Sequence, residues 1–110
     1  MNEDFLKKFD RRKKRKSEPR EKEDIEDPFV KHAKKKGCLA IKLVFLSGRG
    51  WPDRTVLLPG GRIFFIEFKR KGKKPSPKQE QWKNILEKLG FTYYVCDEPG
   101  QAEDLLDHHL

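Results

Sequence analysis

Arg54-Thr55-Val56-Leu57-Leu58-Pro59-Gly60-Gly61-Arg62-Ile63-Phe64-Phe65-Ile66-Glu67-Phe68-Lys69 is the stretch from which the fold can be read. Two β-rich runs flank Pro-Gly-Gly, the composition a tight hairpin needs because glycine reaches positive φ without steric cost. A turn centred on Gly60 pairs residues equidistant from it, so Asp53, seven residues before it, falls beside Glu67, seven residues after it. Alternation along the second strand puts Ile63, Phe65, Glu67 and Lys69 on one face and Phe64, Ile66 and Phe68 on the other. A slip of one residue would turn Asp53 away from Glu67 and Lys69.

An acid inside an otherwise hydrophobic strand is costly unless it is paired or bound to metal. Asp53 and Glu67 offer hard oxygen ligands, and the backbone carbonyl of Phe68 adds a third oxygen. Mg²⁺ would keep several waters in such a site. It could lower the pKa of one of them and offset charge developing on a phosphate. Lys69 could then orient the nucleophile and stabilise the transition state. Two readings of these residues stand side by side: a phosphodiester-cleaving metal site, or solvent-facing strand residues with Asp53 in a turn.

The surrounding chain bears on that choice. Its 110 residues carry a formal net charge of +8, with 40% of all residues charged. Residues 1–30 hold ten Lys/Arg against nine Asp/Glu, whereas residues 31–110 hold sixteen against nine. The positive excess therefore belongs to the folded part, and it points to a polyanionic partner such as nucleic acid. No apolar run approaches a membrane span or a secretory h-region, which predicts a cytoplasmic protein with no membrane partner. Cys38 and Cys96 lack metal-ligand spacing and read as buried, reduced strand residues.

One domain is expected over residues 21–110, preceded by a basic arm over residues 1–20. The arm contains Arg11-Arg12-Lys13-Lys14-Arg15-Lys16 and reads as flexible, with Phe5, Leu6 and Phe9 as a small apolar stripe that could pack on another subunit. A first helix is expected over residues 21–36, with Ile25, Phe29, Val30 and Ala33 on its apolar face and Gly37 as its stop. Asp27-Pro28 also reads as an N-cap with a first-turn proline, which would start the helix later. Residues 38–45 predict a strand buried on both faces. After the hairpin and a basic loop, Ser76-Pro77-Lys78-Gln79 is a helix start with a capping box. Trp82, Ile85, Leu86 and Leu89 give that helix its buried stripe. Residues 91–96 predict a last strand and residues 101–107 a closing helix. The order is α-β-β-β-α-β-α.

Gly50-Trp51-Pro52-Asp53, Leu57-Leu58-Pro59-Gly60-Gly61-Arg62, Ile66-Glu67-Phe68-Lys69 and Pro75-Ser76-Pro77-Lys78-Gln79 together resemble the VRR-NUC family of virus-type replication-repair nucleases. That family lies in the PD-(D/E)xK superfamily, and the resemblance spans roughly Glu23 to Leu106. It implies an α/β restriction-endonuclease-like core with a mixed central sheet between helices. It also implies Mg²⁺- or Mn²⁺-dependent phosphodiester hydrolysis, with Asp53 and Glu67 binding metal and Lys69 assisting the nucleophile. A further metal-binding acid is implied on the first helix at Glu26, with Glu23 as the alternative. The family glutamine falls on Gln79, which could equally serve as the helix cap. Stand-alone members resemble phage-encoded homodimeric endonucleases acting on four-way (Holliday) DNA junctions, which would place the protein in the host cell cytoplasm.

Substrate contacts are expected from Lys42, Arg49 and Arg54 around the Pro-Asp step. Arg70, Lys71, Lys73, Lys74 and Lys78 would add phosphate contacts from the loop after Lys69. Trp51 reads either as a packing residue or as a substrate-side wedge. No recognition helix or zinc module is visible, so backbone shape is the expected basis of selection. The competing readings are a non-catalytic nucleic-acid-binding or assembly module on the same scaffold, and a nuclease directed at RNA.

Overall fold

The computed structural model describes residues 18–44 and 48–110. The expectations for the basic hexamer, for Phe5, Leu6 and Phe9, and for Phe45 to Ser47 lie outside them. A π-helical turn, Glu21–Glu26, leads into α1, Asp27–Lys35. Then come β1, Leu39–Ile41; β2, Arg54–Leu58; β3, Arg62–Phe68; α2, Pro77–Lys88; β4, Thr92–Cys96; and α3, Gln101–His109. The sheet order is β1-β2-β3-β4, with β1, β2 and β3 antiparallel and β4 parallel to β3. This is the mixed α/β arrangement that the sequence implied.

The hairpin register holds. Arg54 pairs with Ile66 and Leu58 with Arg62, leaving Pro59, Gly60 and Gly61 as the turn. Gly60 and Gly61 have φ of 83° and 75°, a conformation that glycine alone adopts without strain. Phe64, Ile66 and Phe68 face Ile25, Phe29 and Ala33 of the first helical segment and Ala102 and Leu106 of α3. Phe65 points the other way, into a smaller cluster with Tyr93 and with Leu86 of α2. The sheet is therefore covered on both faces, which explains why β3 is an almost continuous apolar run. His32 Nε2 meets Asp107 Oδ1 at 2.7 Å, tying α1 to α3.

Two expectations are corrected. Of its predicted stripe α2 buries only Leu86, with Ile85 and Leu89 exposed on a helix that covers one edge of the sheet face with its Trp82–Leu86 side. The strand predicted over residues 38–45 is ordered as a strand only at Leu39–Ile41, and it is not buried on both faces: Leu39 is 55% exposed and Val44 81%. Among the described residues β1 is an edge strand paired with β2 alone, so its apolar residues are only partly covered. The first helical segment divides as the Asp27-Pro28 reading allowed: the α-helix begins at Asp27, and a π-turn over Glu21–Glu26 precedes it. Proline has no N–H, and its ring crowds the carbonyl four residues back. The turn before it widens instead, and the Asp27 N–H reaches the carbonyl of Lys22, five residues back. Cys38 and Cys96 are free and buried as expected, and burial pushes the Cys96 thiol up to about 12.

Gly50 fixes how the loop before β2 meets α2. Its φ is 90°, and a Cβ there would lie 2.6 Å from the Lys78 carbonyl carbon and 2.9 Å from the Gln79 nitrogen. Trp82 Nε1 donates to the Arg49 carbonyl at 3.1 Å, closing the same contact from the helix side. Gly50→Ala should therefore lower unfolding free energy by about 3 kcal/mol, combining left-handed strain with a backbone clash. Gly60→Ala meets no neighbouring atom and should lose only about 1–2 kcal/mol from φ strain. Urea unfolding of both variants checks the difference.

Candidate active site

The end of β3 brings the acids together. Asp53 directly precedes β2 and continues the register that sets Arg54 against Ile66, so it lies alongside Glu67. Its Oδ2 accepts a hydrogen bond from the Phe68 N–H at 2.8 Å, locking the carboxylate onto the partner strand. Pro52 before it is fully buried. Trp51 packs edge-on against both Phe65 and Trp82, with centroids 5.3 and 5.1 Å away, and its Nε1 donates to Thr55 Oγ1 at 3.2 Å. Trp51 thus packs between the sheet and α2.

Glu67 is completely buried, and neither of its carboxyl oxygens receives a hydrogen bond. Its neighbour is another acid, and the pair can share a hydrogen bond only while Glu67 keeps its proton. Burial first, then the hydrogen bond to Asp53 and that residue's charge, push the Glu67 carboxyl up to about 9, with Lys69 pulling it back. Lys69 continues from β3, and its backbone N–H donates to the Cys96 carbonyl at 2.9 Å. Asp53, Glu67 and Lys69 are thereby brought together, as the hairpin reading required.

The first-helix acids are placed differently from one another. Glu26 is buried and its Oε2 accepts from Arg54 Nε at 2.8 Å, while Arg54 Nη1 donates to the Ala40 carbonyl at 3.2 Å. Arg54, expected as a substrate contact, is instead the inner half of a brace joining the π-turn, β1 and β2. Glu23 is exposed. Glu21 is the acid that feels the site: burial and the charge of Asp53 raise its pKa, while Lys69 and Arg70 lower it. The resemblance pointed to Glu26 or Glu23 and did not single out Glu21. A π-turn bonds residue i to i+5, which sets Glu21 one turn above Glu26. The signal available was Pro28.

Gln79 caps α2: its Oε1 accepts from the Ser76 N–H at 2.8 Å, and its own N–H donates to Ser76 Oγ at 3.3 Å. The amide NH₂ end of the side chain retains two donors of its own. Lys42, Arg49, Arg70, Lys71, Lys73, Lys74 and Lys78 are all exposed. Lys71 pairs with Glu98 at 3.3 Å in an exposed contact that contributes little to stability. Among the described residues no three His, Cys, Asp or Glu side chains form a cation cage. A cation would rest on the two carboxylates, main-chain oxygen and water, a donor set that suits Mg²⁺.

A mixed sheet between helices, with an aspartate beside an acid-x-lysine on its central strand, defines a restriction-endonuclease-like domain. A solved structure described as "VRR_NUC domain" matches with a TM-score of 0.65 at 32% identity, covering 77% of this chain and 97% of that one. "Putative nuclease p44" of Acyrthosiphon pisum secondary endosymbiont phage 1 is 41% identical over 75 residues, which are 68% of this chain and 81% of that protein. No family model matches. The chain belongs to the VRR-NUC family.

The raised Glu67 carboxyl has a defined effect on stability. Between the ordinary carboxylate pKa and about 9 the native state holds a proton that the unfolded chain has released. Stability of the metal-free protein therefore falls as pH rises through that window. Glu67→Gln removes the dependence and should raise the melting midpoint at pH 8 by more than at pH 5. Each kcal/mol of relief is worth about 4–8 °C in a domain of this size. Separately, Arg54→Ala strands a buried carboxylate and should lose about 3–5 kcal/mol. The paired replacement Glu26→Leu/Arg54→Met should lose less than either single change, as read by urea unfolding.

Proposed function

We propose that this protein is a divalent-metal-dependent endodeoxyribonuclease selective for branched DNA. The observation that carries the reading is the buried Glu67 carboxyl, unpartnered except by Asp53, at the end of a strand that also presents Lys69. Apolar packing gives no reason to keep an acid there, whereas a cation exchanged for the shared proton does. The family resemblance supports nuclease chemistry independently.

Asp53 and Glu67 would hold Mg²⁺ or Mn²⁺ together with the Phe68 carbonyl and water, while Glu26 stays engaged by Arg54 inside the fold. A cation held there would supply a more acidic water and offset charge on the scissile phosphate. Lys69 orients the attacking oxygen and stabilises the developing negative charge. Gln79, held by its cap, offers its amide donors toward the phosphate from the start of α2. Arg49 and Lys78 lie where the Gly50 loop meets α2. With Lys42, Arg70, Lys71, Lys73 and Lys74, they supply sequence-independent phosphate contacts. Arg54 acts from inside the fold.

A homodimer would set two such sites about a two-fold axis, suited to cutting two strands of a junction symmetrically. Leu39, exposed on edge strand β1, and Val44, exposed three residues beyond its end, support that arrangement. A phage-encoded nuclease would act in the host cytoplasm. Among the described residues no helix is long and apolar enough to cross a membrane.

The test is a panel of duplex, flap, splayed and four-way DNA with each metal, alongside a matched RNA junction. Branched DNA should be cut and EDTA should abolish cutting. Asp53→Asn, Glu67→Gln and Lys69→Ala should each reduce the rate at least ~100-fold. Salt-sensitive binding that ignores EDTA, with no cleavage of any form, would instead identify a binding module. Light scattering at working concentration should return twice the monomer mass.

A further inference from the structure

Glu67 is not alone in carrying orphaned polar atoms on its sheet face. The Tyr93 hydroxyl is also buried without a hydrogen-bond partner, in a residue that is 7% exposed. Tyr93 pairs with Phe65 in the parallel β3–β4 ladder, and Val95 pairs with Glu67. Paired residues share a face, so Tyr93 stands on the Glu67 side, one strand over and two positions back. Strand spacing and rise put the two Cα atoms about 8 Å apart, a diagonal that a tyrosine and a glutamate side chain can close between them.

We propose that Tyr93 is a positioning residue whose hydroxyl donates to the Glu67 carboxylate when a divalent cation occupies the site. This rests on the cation-dependent reading above. Glu67 and Tyr93 each carry buried oxygen atoms without a hydrogen-bond partner, on one face of adjacent strands. When Glu67 ligates a cation through one carboxylate oxygen, the other is left inside the protein with lone pairs and no donor. Tyr93 supplies an O–H on the correct face, and the hydrogen bond fixes the rotamer in which Glu67 ligates. Outer partners of this kind set the orientation of ligating carboxylates. Burial and the charges of Glu67 and Asp53 raise the phenol pKa, so Tyr93 stays a donor at any working pH.

Tyr93→Phe keeps the ring in its cluster with Phe65 and Leu86 and deletes only the hydroxyl. The experiment compares Mn²⁺ binding by calorimetry, without DNA, and melting in EDTA, for the full chain and the variant. The expected result is an EDTA midpoint equal to or slightly above that of the parent, because an unpartnered buried hydroxyl has been removed. Alongside it, the Mn²⁺ dissociation constant should rise about tenfold or more. An unchanged dissociation constant overturns the proposal and leaves the cation reading intact. A weaker constant accompanied by a lowered EDTA midpoint overturns it too, since it marks a packing defect. A parent protein that binds no Mn²⁺ sinks the cation reading and the proposal together.

Discussion

The buried carboxyl of Glu67 is the constraint around which this domain is arranged. An acid with no donor in a fully covered strand is tolerable only if it keeps its proton or trades that proton for a cation. Asp53 provides the acceptor in the first case and, on the proposed reading, would be a second ligand in the second. It can do so because the Phe68 N–H holds its other oxygen at 2.8 Å. That bond in turn depends on the Gly60 turn and the hairpin register. The glycine contact at Gly50 presses the loop ahead of Asp53 onto α2. Local chain geometry and site chemistry are one problem here.

Charge is divided between an inner and an outer role. Arg54 and Glu26 satisfy each other inside the fold and link the π-turn to two strands, so their value is in orientation rather than substrate affinity. The lysines of the loop between β3 and α2 are exposed, and most of the domain's positive excess is free to meet a polyanion. Buried pairs of this kind contribute less to net stability than their removal suggests, because breaking one leaves an unpaired charge behind. The arrangement keeps a positive surface around an acidic centre, which is what a phosphate-cleaving site requires.

Most of this was legible in the sequence where local rules dominate. The hairpin register followed from two glycines, the α2 start from Ser76, Pro77 and Gln79, and the shared face of Glu67 and Lys69 from strand alternation. What escaped depended on tertiary context. Residues 38–45 are apolar enough for a central strand, but among the described residues β1 is an edge, and no pattern in the segment itself reveals how many neighbours it has. Arg54 looked like a substrate contact because its partner Glu26 lies far away in sequence. Glu21 went unnamed because the resemblance pointed to Glu26 or Glu23, and Pro28 was the one visible sign of the π-turn that holds it.

The central claim, that Glu67 gives up a proton in exchange for a divalent cation, is tested most directly by calorimetric Mn²⁺ titration at pH 7.5 in buffers of different ionisation enthalpy. The account predicts an observed enthalpy that varies with buffer, corresponding to about one proton released per cation bound, with the release absent in Glu67→Gln. Cation binding whose enthalpy is the same in every buffer would contradict it.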